Sequence, residues 1–235
     1  MQAVIQHNVI VAVAYVLRAN PNLIAMREAL HSGRFGQPLQ LVAVTGQNFP
    51  FYRPAYRNTY YRDRASGGGA IQDALTHFIN AAEWLIGPID RVVADAEHCV
   101  VPDVEVEDTV HVIARHRGVL ACYALNQHQA PNETTITIVC ERGTLRCEFD
   151  QNRFRWMVQP NSEWHNQPAP KLERDNLFMT QLTSFLDAAE RGQTPLCTLD
   201  EGVQTLRVNL AIHRSVETKS WTDLTTFDTD DTRLR

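Results

Sequence analysis

Between residues 92 and 159 apolar and polar positions alternate with a period of two. Stretches on either side repeat every three to four residues instead. The alternation predicts strands over 92–99, 109–116, 119–128, 134–140, 144–149 and 154–159. Arg117-Gly118 and Arg142-Gly143 fall where tight hairpin turns are needed, so these strands form an antiparallel meander. Earlier apolar runs predict two more strands, over 9–16 and 39–45, and residues 2–7 read as the tail of a helix. The helical period predicts a helix over 22–31, introduced by Asn20-Pro21, and another from the glycines at 67–69 to residue 86, stopped by Gly87-Pro88. A third covers 174–191, with Leu177, Phe178, Leu182, Phe185, Leu186 and Ala189 facing inward and Gly192 as its stop. A fourth starts at the capping box Thr198-Leu199-Asp200-Glu201 and turns Val203, Leu206, Leu210 and Val216 inward.

The fold class that follows is α+β: a large open, mainly antiparallel sheet with helices on one face. Val110, Val112 and Ala114 mark one face of the strand over 109–116, and Thr109, His111 and Ile113 the other. Both sets contain apolar members, so a second copy of the chain is the natural cover for the outer face.

Composition narrows the function. The 235 residues carry a net charge of −5 and are 44% hydrophobic, which excludes disorder for most of the chain and argues against general nucleic-acid binding. No apolar run reaches membrane-spanning length, and the run at 9–14 has no basic segment before it, so it is not a signal peptide. Cys99, Cys122, Cys140, Cys147 and Cys197 are odd in number and scattered without a C-x-x-C. They read as free buried thiols of a cytoplasmic protein, and their spacing argues against a zinc site.

Chemistry concentrates on the helix after the glycines. At about 100° per residue, Ile71, Leu75, Phe78, Ile79, Ala82 and Ile86 share one face, with Asp73, His77, Asn80 and Trp84 opposite. Asp73 and His77 are four apart and can meet; a carboxylate beside an imidazole raises its pKa and orients the ring for proton transfer. The same pair also suits an ordinary solvent-facing stripe. The glycines either form a simple turn or let a ligand or another backbone approach the helix N-terminus closely. The preceding stretch 47–64 is rich in tyrosine and arginine and lacks a period, which predicts a long loop of the kind that holds polyols. His111 and His116 read as surface residues. The acidic run 103–108 reads as a solvated loop or strand edge without the glycine of a calcium loop. Trp156 and Trp164 suit a sheet edge.

Several short motifs, in order, resemble the Gfo/Idh/MocA family of nicotinamide-dependent oxidoreductases. They are Tyr15-Val16-Leu17-Arg18-Ala19-Asn20-Pro21, His31-Ser32-Gly33-Arg34-Phe35-Gly36, the Gly-Gly-Gly-x-x-x-Asp73-x-x-x-His77 segment, the turn at Cys140-Glu141-Arg142-Gly143-Thr144-Leu145, and the segment 185–195. The resemblance implies that His77 exchanges a proton with a substrate hydroxyl and that Asp73 holds the substrate or orients that histidine. It places Tyr15 and Arg18 near a domain interface, with Tyr60, Tyr61 and Arg62 as candidates for the substrate rim. It implies NAD or NADP as cofactor and a sugar-like small molecule as substrate.

Family members begin with a Rossmann domain carrying G-x-G-x-x-G and an E-K-P segment, and neither motif occurs in this sequence. The expectation is therefore a C-terminal half without the Rossmann domain. Residues 1–14 would be a linker strand, 15–227 a substrate-binding and oligomerisation domain, and 228–235 a polar tail. Such a chain would form a homodimer or homotetramer through its sheet face, would lack a pyrophosphate site of its own, and would need a separate dinucleotide-binding domain to turn over. The alternative is a non-catalytic sugar-binding or oligomerisation module.

Overall fold

A computed structural model describes residues 2–7, 9–173 and 175–227. The expected tail at 228–235 lies outside them.

Among the described residues nine strands form one sheet. They are β1 Pro38–Gly46, β2 Arg91–Glu97, β3 Thr109–His116, β4 Val119–Asn126, β5 Glu133–Cys140, β6 Gly143–Glu148, β7 Arg153–Met157, β8 His165–Gln167 and β9 Thr222–Asp223. The spatial order is β8-β7-β6-β5-β1-β4-β3-β2-β9. The antiparallel meander is present, with one departure: β1 inserts between β4 and β5 and runs parallel to β4, pairing Gln40 with Leu120 and Gly46 with Asn126. The strands β8 and β9 are too short to leave a periodic signal.

Helices α1 Gln2–His7, α2 Pro21–His31, α3 Phe49–Tyr52, α4 Thr76–Ile86, α5 Asn176–Arg191 and α6 Leu199–Thr218 complete the fold. The inward face of the sheet, including Leu41, Val110, Val112, Ala114, Tyr123, Ile136 and Ile138, packs with α2, α4 and α6 into one core. The outer face leaves Leu39, Ile113 and Leu120 exposed. Near the sheet edge, Arg155 lies over the Trp164 ring, and Trp156 stacks on His165, as the tryptophans predict. No helix of the described residues is long and apolar enough to cross a membrane.

Six expectations need correction. Residues 9–16 form no strand: Ala12 makes an isolated bridge to Thr198, and Val9 and Ile10 are exposed. The run has no neighbouring strand; instead Val13 packs so tightly on Gly202 that a side chain there would overlap it.

The apolar face of α5 does not turn inward. Phe178, Leu182, Phe185 and Leu186 are exposed and only Ala188 is buried, because the helix touches little beyond the short turn Val16–Ala19.

In α6 the buried face runs through Gly202, Thr205, Val208, Asn209 and Ile212, while Leu206 is exposed. Thr205 bonds to Asn80 and Glu83 of α4, and Asn209 to Thr76 of the same helix, which rotates α6 away from its apolar phase.

His116 is fully buried. Its Nδ1 donates to the Gly87 carbonyl at 2.6 Å and its Nε2 accepts from Tyr123 at 2.7 Å. Burial pushes its pKa down to about 4, which keeps the ring neutral near pH 7 with Nδ1 carrying the proton toward the carbonyl.

The acidic run is half interior. Asp108 accepts from the amides of Cys99, Val100 and Val101, which hold it below the ordinary carboxylate range despite the opposing effect of burial. All five thiols are free, but the expectation that they are buried holds only for Cys140, Cys147 and Cys197: Cys122 is half-buried and Cys99, just beyond the end of β2, is exposed.

Candidate functional site

The site begins at the start of the helix that α4 continues. Residues Ile71–Leu75 form a π-helical turn in which the Thr76 amide reaches back to Ile71. Such turns widen a helix locally and recur at functional sites. The N-terminus is closed by Glu107: its carbonyl accepts from the Ala70 amide at 3.0 Å and its Oε1 from the Ile71 amide at 3.1 Å. Arg64 neutralises its other oxygen at 3.1 Å. A carboxylate here is favoured by the helix dipole.

The glycines serve this closure. A Cβ on Gly68 would overlap the Tyr61 carbonyl, and one on Gly69, at φ +92°, would overlap the Glu107 carboxylate. Backbone and carboxylate, both from this chain, are what approach this helix end.

The loop 47–66 is a series of single turns at Phe49–Tyr52, Tyr56–Asn58, Tyr60–Arg62 and Arg64–Ser66. Phe49, Tyr56 and Tyr61 pack with Val101, Val104 and Val106 into a small core of their own. That core fixes the loop against the sheet end and sets Tyr60 beside the helix.

The Tyr60 hydroxyl donates to Asp73 Oδ1 at 2.5 Å. Burial, followed by that bond and the Asp73 charge, pushes the phenol up to about 12. His77, four residues after Asp73, makes no hydrogen bond or ion pair with it. Instead the Tyr15 ring stands edge-on to the imidazole, with centroids 5.7 Å apart. Tyr15 is itself held by its hydroxyl to Thr76 at 2.9 Å, and Asn209 donates to that Thr76 at 2.8 Å.

The His77 Nδ1 is buried without a partner among the described residues, leaving Nε2 as the accessible nitrogen. Burial pushes the His77 pKa down; Asp73 opposes and Arg53 reinforces the shift. The pairing rule predicts a raised pKa, and it fails here because no hydrogen bond joins the two side chains and desolvation outweighs the attraction of the Asp73 charge.

Tyr60, Asp73 and His77 line one cleft of about 370 Å³ with Arg53, Gln47, Thr45, Phe78, Asn132 and Thr134. Its size suits a small molecule. The other sequence candidates lie differently. Arg18 is buried, donating to Asn80 at 2.8 Å, to the Leu196 carbonyl at 2.9 Å and to Glu201 at 2.6 Å. Tyr61 is buried with its hydroxyl on Gln127. Arg62 is exposed and outside the cleft lining.

A model of the GFO/IDH/MocA C-terminal domain matches residues 23–146. The chain belongs to the GFO/IDH/MocA family. Solved structures share this fold at low identity. Levoglucosan dehydrogenase in complex with NADH superposes with a TM-score of 0.83 and 18% identity, over 92% of this chain and 66% of that one. An NAD-binding oxidoreductase from Klebsiella pneumoniae gives 0.83 and 18%, over 97% and 69%. An oxidoreductase domain protein from Kribbella flavida gives 0.78 and 20%, over 89% and 64%. The chain thus spans about two thirds of the length of these GFO/IDH/MocA-type structures.

Arg53, Gln47, Thr45, Asn132 and Thr134 join the cleft without having been singled out in the sequence. Arg53 and Gln47 lie in the loop read as functional. Thr45 and Thr134 meet only because β1 pairs with β5, their hydroxyls 3.0 Å apart, and no local pattern reports that.

Among the described residues the N-termini of the helices beginning at Pro21, Ala70 and Leu199 are taken by Asn20, Glu107 and Thr198. The helix beginning at Asn176 has no side-chain cap, but the stretch 168–175 before it carries no glycine and ends on the acidic Asp175, so among the described residues no glycine-rich turn leads from a strand into an open helix end that would fit a dinucleotide pyrophosphate.

Proposed function

We propose that residues 15–227 are the substrate-binding and oligomerisation half of an NAD(P)-dependent oxidoreductase acting on a sugar, polyol or related carbinol. The observation that carries this reading is the convergence of the Tyr60–Asp73 pair and the accessible Nε2 of His77 on one cleft, in a chain of this family. Levoglucosan dehydrogenase, which shares the fold, has been solved with NADH and levoglucosan.

In this reading His77 Nε2 exchanges a proton with the substrate hydroxyl. Its depressed pKa keeps the ring neutral near pH 7, ready to accept. Asp73 and Tyr60 hold neighbouring hydroxyls. Tyr15 fixes the plane of the imidazole. Arg18 and Tyr61 brace the elements that carry these groups, and Arg62 stands at the outer rim. The dinucleotide would be held by residues other than those described, and this chain contributes binding, orientation and proton transfer. The exposed sheet face around Ile113 and Leu120 would join copies of the chain.

The test is a titration of the chain with a panel of sugars and polyols, followed by His77 ring resonances, with nicotinamide reduction measured after addition of a dinucleotide-binding domain from a relative. Ligand-dependent His77 shifts and reduction lost in His77→Gln are expected. A ligand that shifts His77 with no reduction under any pairing would instead favour a sugar-binding module without turnover. One observation already leans that way: a base needs a partner on Nδ1 to hold its tautomer, and none is present among the described residues.

A further inference from the structure

Arg53 lines the same cleft as Asp73, His77 and Tyr60. Of the other arginines of its loop, Arg57 pairs with Asp103 at 2.6 Å and Arg64 with Glu107 at 3.1 Å, while Arg62 is exposed outside the cleft lining. Arg53 is exposed and forms no ion pair among the described residues. The carboxylate that shares the cleft with it, Asp73, is engaged by the Tyr60 hydroxyl.

The backbone of Arg53 is anchored. Its amide donates to the Phe49 carbonyl at 2.7 Å, and Pro54 follows it, restricting its conformation. The guanidinium therefore hangs from the small aromatic core of the loop rather than from a free segment. Its charge reaches the site, disfavouring protonation of His77 and easing ionisation of Tyr60. The remaining polar lining, Thr45, Gln47, Asn132 and Thr134, is neutral.

An unpaired planar cation at one point of a cleft, with a proton-transfer group and neutral hydrogen-bonding side chains around it, asks for a ligand that is anionic at one end and hydroxylated along its length. We propose that the cleft takes a carboxylated polyol, a sugar acid of the aldonate or uronate class, with Arg53 gripping the carboxylate and the reacting carbinol at His77. This rests on the polyol-site reading above and names the substrate class for it.

Carboxylate is favoured over phosphate by charge. One guanidinium matches a single negative charge bidentately, whereas a phosphate ester carries about −1.5 to −2 near neutral pH and would face Asp73 with the excess. The nearby helix end that would otherwise bind phosphate is closed by Glu107.

The experiment is calorimetry of the full chain with D-gluconate, D-glucitol and glucose 6-phosphate at low salt, with His77 ring resonances locating the ligand and melting curves checking the variants. Gluconate should bind at least about tenfold more tightly than glucitol, the scale of one charge-assisted pair. Arg53→Gln should bring gluconate down to the glucitol level, and Arg53→Lys should keep part of the preference. Equal binding of gluconate and glucitol, or a gluconate preference that survives in Arg53→Gln, overturns the proposal. Tighter binding of glucose 6-phosphate than of gluconate overturns the choice of carboxylate. If none of the three moves His77, the polyol-site reading falls as well; if glucitol moves it and gluconate binds no better, only the sugar-acid proposal falls.

Discussion

The hydroxyl of Tyr60 and the carboxylate of Asp73, 2.5 Å apart, join the irregular loop to the π-helical turn that opens the site helix. Burial and the Asp73 carboxylate both keep the phenol protonated. In an absorbance titration the Tyr60 step, identified by its loss in Tyr60→Phe, should come only near pH 12, with the buried Tyr61 and Tyr123 ionising later still, and Asp73→Asn should move the Tyr60 step back toward 10. Tyr60→Phe should cost less than about 1 kcal/mol of stability, since the pair is partly exposed, while ligand affinity falls. An unchanged tyrosine titration in Asp73→Asn would break the assignment.

His77 should titrate below 6.5. Asp73→Asn should lower its midpoint further, because the carboxylate opposes the shift, and Arg53→Gln should raise it. NMR of the ring protons reads both directions.

Two buried histidines and the half-buried His77 make the acid side of the stability curve steep. His77 is depressed, and His116 and His213 are depressed to about 4. Above pH 6.5 folded and unfolded chains bind the same protons at these sites. As pH falls from 6.5 to about 4, the unfolded chain takes up protons that the folded one refuses, so stability is lost across that window. His213 Nε2 is buried without a partner among the described residues, so His213→Leu should cost less than about 1.5 kcal/mol at neutral pH and flatten the acid limb. Denaturant melts at a series of pH values test this; an acid limb as steep as the parent's would refute it.

Gly69→Ala should destabilise by about 2 kcal/mol or more, from a side chain at positive φ and its collision with Glu107. In a chain of this size that lowers Tm by roughly 4–8 °C. Calorimetric melting compares it with Gly33→Ala, also at positive φ but with open space around it, which should cost less.

Arg18→Met should cost about 2 kcal/mol, because Asn80 and the Leu196 carbonyl lose a buried donor. Its effect on ligand affinity should be far smaller than that of Arg53→Gln. A larger effect on affinity than on stability would return Arg18 to the ligand site.

Much of this was legible in the sequence. Val110, Val112 and Ala114 face inward as their alternation predicts, Thr198 and Glu201 form the full capping box, and Asp73 and His77 share a cleft. What failed did so for identifiable reasons. The period of α5 is right, but period does not say whether a partner is present to cover Phe178 and Leu182. The helical wheel assumes an unbroken α-helix, and the π turn shifts Asp73 and His77 relative to it. Glu107, Asp108 and His116 read as surface residues because burial of a charged or polar group depends on donors brought from distant segments. The cleft wall at Thr45 and Thr134 needs a pairing between strands 89 residues apart.

That pairing has a kinetic consequence. Because β1 lies between β4 and β5, the central ladder cannot zip up from successive hairpins. It must wait for chain emerging some 80 residues later, as Gln40 meets Leu120. Closing such a loop before any contact rewards it makes folding slow. The edge meander β5-β6-β7 can form early, and the cleft, walled by β1 and β5, completes only when the central strand is seated. Acquisition of ligand binding during refolding should therefore trail the burial of Trp156 on β7.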